Sequence, residues 1–262
     1  MNDRMRLYAC ASVAAGFLTG GVIASPAMDP PTAAVVLPAA QQNDLVRRYC
    51  TVCHTDASMN GGLSLEHFDA ARPDPGDAAM VVSKMKANAF GAAGLPPPDK
   101  ATQDALIAAL SSAAAGANEW TVSRRENVRT KAPMLMVSVV QGVPSTANQG
   151  EPDLYRLTLT CGADAREGEM LLAWSPNVPQ NGRLLSAVAD GKTPMTYKVE
   201  GTEKMGNGTA GTSGPGSVLL RAMPLPSQTL TISNVFPDQR VVFPFSKLTS
   251  AARQALSTCF GS

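Results

Sequence analysis

Two cysteines and a histidine within five residues form the part of this chain best suited to chemistry: Cys50-Thr51-Val52-Cys53-His54. Two thiols at this spacing can add to the two vinyl groups of one haem, and the histidine that follows can bind the iron from the same side. The spacing therefore predicts one covalent haem c, held by Cys50 and Cys53, with His54 as the proximal iron ligand.

Two other kinds of site also use a C-x-x-C pair. A thioredoxin-like dithiol follows a strand and opens a long helix, and a zinc site needs further Cys or His residues nearby. The only other histidine is His67. Leu45, Val46 and Tyr49 have helical spacing directly before the motif, which places the cysteines at a helix end. Haem attachment is therefore the favoured interpretation.

Three helices are predicted around this motif. The first runs from Asn43 into Cys50, and the second covers about residues 77–87 with apolar and basic sides. Asp99 is a good N-cap for the third, which Gly116 ends. Together they predict a compact α-helical unit over residues 41–117.

The same region contains several short motifs of a known family. They are Arg48-Tyr49-Cys50-Thr51-Val52-Cys53-His54, Gly61-Gly62-Leu63-Ser64-Leu65, Phe68-Asp69, Val81-Val82-Ser83-Lys84-Met85-Lys86 and Leu95-Pro96-Pro97-Pro98-Asp99. Together they resemble the small monohaem, class I-like cytochrome c domains of bacterial periplasmic proteins. The resemblance implies a small all-α haem domain, thioethers at Cys50 and Cys53, and His54 as proximal ligand.

The distal side of the haem departs from that resemblance. Such domains have a Met directly before the Pro-Pro pair, and this chain has Leu95, whose alkyl side chain cannot donate to iron. The alternative donors are Met85 on the second helix, Met59 and His67 after the motif, and Met134 or Met136 further along the chain. Otherwise the iron is five-coordinate, with Leu95 covering its distal face, and can bind NO or CO. We rank a five-coordinate or weakly ligated iron first, Met85 second and His67 third.

After Trp120 the chain changes to short β-rich runs separated by Gly, Pro, Asn or Asp. The runs cover residues 134–140, 154–161, 169–175, 195–199, 218–222, 229–232 and 241–245, and a helix is expected over 249–257. This pattern predicts an antiparallel all-β sandwich or barrel with a C-terminal helix.

Residues 118–262 contain no histidine, which excludes Ser-His-Asp and Cys-His catalysis and histidine-based metal sites there. Their six methionines could bind Cu(I), but methionines of this kind more often fill gaps in a core. An interaction module is therefore expected, and a stand-alone enzyme is not.

The N-terminus has a basic head, an apolar stretch from Leu7 to Ala24 and then Ser25-Pro26, which is typical of a secretory signal peptide. An uncleaved membrane anchor is the alternative, since the stretch is close to spanning length.

Export also affects how the cysteines are interpreted. Cys10 goes with the leader and two cysteines belong to the haem motif, so Cys161 and Cys259 remain to form a disulfide in an oxidising compartment.

The predicted organisation has two domains, a small all-α cytochrome c domain and then the all-β domain. Its segments are a signal peptide (1–24), a Pro- and Ala-rich tether (25–40), the haem domain (41–117), a linker (118–130) and the β domain (131–262). The formal net charge of +1 gives no reason to expect nucleic-acid binding.

The expected function is electron transfer with a periplasmic redox protein. A haem-based gas or redox sensor is the alternative, and a cytochrome subunit that feeds electrons to a partner enzyme is a third. Membrane association is expected only if the N-terminal segment stays uncleaved.

Overall fold

Four α-helices and nine β-strands make up the described part of the computed structural model. The described residues are 37–58, 63–87, 96–127, 130–145, 150–162, 168–175, 184–199, 217–235 and 239–260. The predicted signal peptide, and all of the predicted tether up to residue 36, lie outside them. In the part that is described, no helix is both long and apolar enough to cross a membrane.

Three of the helices come early in the chain. They are α1 (Ala39–Tyr49), α2 (Pro75–Lys86) and α3 (Lys100–Ala114), and α4 (Ser250–Phe260) lies near the end. Two aspartates fix helix starts, since Asp74 accepts from the Asp77 backbone N–H at 3.0 Å and Asp99 from that of Thr102 at 2.9 Å. The predicted cap at Asp99 is confirmed, and α2 begins two residues earlier than predicted because Asp74 is its cap.

The strands form two antiparallel sheets. They are β1 (Thr121–Glu126), β2 (Pro133–Val143), β3 (Asp153–Gly162), β4 (Glu169–Ser175), β5 (Leu184–Ala189), β6 (Met195–Lys198), β7 (Ser217–Leu219), β8 (Thr229–Val235) and β9 (Gln239–Pro244). The larger sheet has the order β1-β2-β3-β4-β7, and the smaller sheet has the order β6-β5-β8-β9. The segment 118–130, expected to be a linker, thus contains strand β1.

The larger sheet is covered on both faces, as strand β3 illustrates. Tyr155, Leu157 and Leu159 point into the main core, which they share with the smaller sheet and α4. The alternate residues face the other way, where Leu154 packs against the apolar cluster of the helices and Arg156 pairs with Asp77 of α2. The larger sheet is therefore the middle layer between the early helices and the smaller sheet.

This arrangement corrects the predicted fold class. A separate all-α domain followed by an all-β domain is wrong, because the described residues from Leu37 to Phe260 belong to one compact, mostly β unit. The prediction of separate domains failed because of the pattern on β3. Arg156 and Thr158 alternate there with apolar residues, as they would on a strand with one solvent-exposed face. Both are buried instead, at 4% and 2% exposure.

A disulfide joins the end of β3 to α4. Cys161 and Cys259 are paired, with their Cα atoms 5.8 Å apart and a sequence separation of 98. Next to this pair, the Gly168 backbone N–H donates to the Cys259 carbonyl at 2.8 Å. The C-terminal helix is thereby held against the large sheet. Leu256 of this helix is fully buried in the main core.

A side chain at Gly168 is predicted to require movement of the Phe260 ring. A Cβ atom at this position would overlap the ring of Phe260 on α4. We expect Gly168→Ala to lower the free energy of unfolding by about 1 to 3 kcal/mol, as overpacking usually does. Urea denaturation measures this, with Gly116→Ala as control, since the nearest atoms there lie 3.6 Å from the added Cβ. Equal stability of both variants would contradict the prediction.

Candidate functional site

The C-x-x-C-H motif forms a tight turn at the C-terminal end of α1. The Cys50 backbone N–H still donates to the Val46 carbonyl, at 2.9 Å, so Cys50 is the C-cap of the helix. Its own carbonyl then accepts from the backbone N–H groups of Cys53 and His54, at 3.1 and 3.0 Å. The two cysteines and the histidine are thereby gathered around one helix end, as the sequence predicted.

Neither cysteine of the motif takes part in a disulfide. Cys50 packs against the apolar cluster that α1, α2 and α3 share. Its burial, and secondarily the neighbouring Cys53, raises the pKa of the Cys50 thiol to about 11. Val52 between them is 59% exposed, so solvent reaches the outer side of the turn. Cys50 is therefore a neutral thiol at neutral pH, facing an apolar interior.

These features differ from those of a dithiol oxidoreductase. The reactive cysteine of such proteins has a depressed pKa, often because it lies at a helix N-terminus. Cys50 lies at a helix C-terminus, the negative end of the helix dipole, and its pKa is raised. Within the described ranges, no group of three or more His, Cys, Asp and Glu residues is arranged to hold a metal ion.

The residues fit a covalently attached haem. Two reduced thiols on one turn provide the two attachment points, and the imidazole of His54 follows directly. The cluster next to Cys50 is apolar, with Leu65, Leu106 and Leu110 all at most 5% exposed. Such a wall can cover a porphyrin face and exclude water from it.

The loop after His54 is closed by its own hydrogen bonds. The Leu65 backbone N–H donates to the His54 carbonyl at 2.8 Å. Inside this loop the Asp56 carboxylate accepts from the Ser64 hydroxyl and pairs with His67 Nε2 at 2.8 Å. Glu66 accepts from the Asp56 backbone N–H, also at 2.8 Å. Asp56 is thus the polar centre of the loop.

The pKa of Asp56 reflects these contacts. Burial by itself raises that pKa, but the hydrogen bonds from Ser64 and His67, with the positive charges of His67 and Arg125, outweigh burial and lower it. The charged carboxylate is therefore the form that the folded loop favours.

Asp56→Asn is predicted to destabilise the protein at neutral pH by about 1 kcal/mol, a value discounted because the site is partly exposed. A carboxyl whose folded pKa is depressed contributes stability above its unfolded pKa, near 3.9, and loses it as the pH falls through the folded pKa. The difference between variant and wild type should hence shrink below about pH 4. Urea denaturation at a series of pH values measures this difference. A difference that grows on acidification would refute the conclusion that the charged Asp56 carboxylate stabilises the fold.

Charged residues connect this loop and α2 to the large sheet. Arg125 of β1 places one guanidinium nitrogen 3.6 Å from Asp56 Oδ1 and another 3.8 Å from Asp77 Oδ2. Arg156 of β3 pairs directly with Asp77, lies 3.7 Å from Asp74, and donates to Ser138 at 3.1 Å. Two arginines of the sheet therefore face three aspartates of the helical segment.

These two arginines and three aspartates were not predicted from the sequence to take part in a site. Arg125 lies in the segment expected to be a linker, and Asp56 and Asp77 lie in segments that were predicted only as loop and helix. The one available signal was Arg156, a charged residue in the middle of the apolar run Leu154 to Leu159. A buried arginine needs an acidic partner, but the sequence alone does not name it.

The candidate distal ligands occupy different environments. Leu95 and Met59 lie outside the described residues. Met85 is 4% exposed and belongs to the apolar cluster against which Cys50 packs. The His67 side chain is 62% exposed and is held by Asp56. Met134 and Met136 lie on β2, opposite Arg125 and Ser123 of β1. Of these side chains, Met85 therefore shares the cluster of the attachment site, whereas His67 is bound elsewhere.

Comparison with protein-family models, with curated proteins and with solved structures gives no match for this chain.

Proposed function

We propose that this chain is an exported c-type cytochrome that exchanges electrons with a periplasmic redox protein. The observation that carries the proposal is the position of Cys50 and Cys53 on one turn at the C-terminal end of α1. Neither is in a disulfide, and His54 follows them in the same turn. This arrangement suits thioether attachment and proximal ligation better than dithiol exchange.

Bound haem would supply a reversible one-electron couple between ferrous and ferric iron. The chain's own residues have simpler roles. Cys50 and Cys53 would anchor the macrocycle, His54 would ligate the iron, and the apolar cluster of α1, α2 and α3 would help to exclude water. Val52 is exposed on the outer side of the turn, where a partner protein could contact this chain.

The cysteine pair of the β part supports export. A disulfide between Cys161 and Cys259 persists in an oxidising compartment such as the periplasm and is rare in the cytosol. Because residues 118–262 have no histidine, we assign the two sheets a structural and docking role rather than catalysis.

An absorption spectrum tests the assignment. Protein made in a host that matures c-type cytochromes is expected to show a haem spectrum that survives denaturation and solvent extraction, because thioether bonds are covalent. The reduced protein should give sharp low-spin bands if a sixth ligand is present. Haem that extracts completely into organic solvent would refute covalent attachment.

A haem-based sensor is the second candidate. It is favoured by Leu95 in the usual methionine position and by the pairing of His67 with Asp56, which gives that imidazole another partner. CO addition to the reduced protein separates the candidates. Rapid CO binding indicates an open distal site and supports the sensor, while an unchanged low-spin spectrum supports the electron carrier.

A further inference from the structure

Arg125 is the residue through which the large sheet contacts the loop that follows His54. Its side chain is 16% exposed, and its guanidinium lies between Asp56 of the loop and Asp77 of α2, at 3.6 and 3.8 Å. Its neighbours on β1, Arg124 and Glu126, are exposed on the opposite face of the strand. One strand therefore carries a half-buried arginine and an exposed one side by side.

The other contacts of Asp56 come from within the loop. They are the Ser64 hydroxyl, His67 Nε2 and, through its backbone N–H, the Glu66 carboxylate. Since the Leu65 N–H also closes the loop onto the His54 carbonyl, a movement of Asp56 displaces the chain next to His54. Arg125 thus contacts Asp56 from the large sheet, outside the loop.

Holding α2 on the sheet does not require Arg125. Arg156 already pairs directly with Asp77 and lies close to Asp74, and both its side chain and that of Asp77 are only 5% exposed. Arg125, by contrast, is the sheet residue that faces Asp56, two positions after His54. Its particular contribution is therefore to the loop.

We infer that Arg125 is a positioning residue for the haem-attachment loop, acting through Asp56, so that the β-sheet sets the electronic environment of the haem. This inference rests on the proposed function, because it assigns a role toward a haem held at Cys50, Cys53 and His54. The Arg125 side chain is 16% exposed, so its interaction with Asp56 is screened less by salt than an interaction between surface charges is.

The test measures the midpoint potential of the holoprotein in wild type, Arg125→Gln and Asp56→Asn, with Arg124→Gln as the matched exposed control. A positive charge near the haem disfavours the ferric state and a negative charge favours it. Arg125→Gln is therefore expected to lower the potential and Asp56→Asn to raise it. Arg124→Gln should give a shift several-fold smaller than either.

If Arg125 acts through Asp56, its loss should matter only while the Asp56 carboxylate is present. Arg125→Gln is therefore expected to change the potential of the Asp56→Asn variant several-fold less than it changes that of the wild type. If Arg125→Gln does not fold, Arg125→Lys takes its place. It keeps the charge, and is expected to retain the wild-type potential while Asp56→Asn still raises it.

Two results overturn the inference in different ways. Haem-loaded Arg125→Gln with the wild-type potential, or with the same shift whether or not the Asp56 carboxylate is present, would show that Arg125 does not act on the haem through Asp56, and the proposed function would stand. Wild-type protein without covalent haem would refute the proposed function, and the inference with it.

Discussion

Replacing Cys50 and Cys53 together with serine is expected to abolish covalently bound haem while the protein still folds. Both thiols lie on the turn that closes α1, and each supplies one attachment point, so the double variant retains none. Serine is close in size to cysteine, and the sheets and the Cys161–Cys259 pair lie elsewhere in the fold. Haem staining after denaturing electrophoresis measures the loss.

A neighbouring residue provides the control for this experiment. Val52 lies between the cysteines and is 59% exposed, so Val52→Ala should keep full covalent haem. Cys53→Ser alone should keep haem through the single thioether at Cys50. Covalent haem in the double variant would place the attachment elsewhere, and its loss in Val52→Ala would show that any disturbance of the turn has the same effect.

Asp77→Ala is expected to lower the free energy of unfolding by about 3 kcal/mol, the low end of the usual cost of breaking a buried ion pair, because Asp74 still lies 3.7 Å from Arg156. Asp77 is the direct partner of Arg156, and both side chains are 5% exposed between α2 and the large sheet. Urea denaturation measures the loss. Asp69→Ala is the control, because the Asp69–Arg72 pair is at the surface and should change stability by less than about 1 kcal/mol.

The same experiment tests whether helices and sheets unfold as one unit. Far-UV circular dichroism reports the helices, and the fluorescence of Trp120 and Trp174 reports the sheets, since Trp174 is in the main core and Trp120 packs against it. Coincident transitions are expected for one cooperative unit. Separate transitions would show that the helices and the sheets unfold independently.

The double variant Asp77→Leu/Arg156→Met should recover much of the stability that Asp77→Ala loses, because it removes both charges together.

Local patterns were sufficient to predict the elements near the motif. The helical spacing of Leu45, Val46 and Tyr49 indicated a helix that ends at the cysteines, and α1 ends at Tyr49. Asp99 was predicted as a helix cap and is one. Both signals depend on residues close together in the sequence, where the physical cause is local.

The contact between helices and sheet could not be predicted in the same way. A strand with alternating polar and apolar residues normally has one face in water, and β3 follows that alternation at Arg156 and Thr158. Their burial depends on α2, about 80 residues earlier in the sequence, as the separation of 79 between Asp77 and Arg156 shows. Tertiary contacts of this kind leave no periodic signal.

Two strands were missed for reasons of composition. β1 reads Thr-Val-Ser-Arg-Arg-Glu and β5 reads Leu-Leu-Ser-Ala-Val-Ala, so charged residues in one and alanines in the other weaken the β signal. The missed strand β1 carries Arg125, and for that reason the contact with Asp56 was missed too. The haem motif could be predicted from local spacing, whereas the residues that contact its loop could be found only from the tertiary structure.

The most direct test of the account is the intact mass of the denatured protein after production in a host that matures c-type cytochromes. We predict the mass of the polypeptide plus one haem, with the added mass on the proteolytic peptide that contains Cys50 to His54. A polypeptide mass without haem, from a host shown to mature a known c-type cytochrome in parallel, would contradict the account.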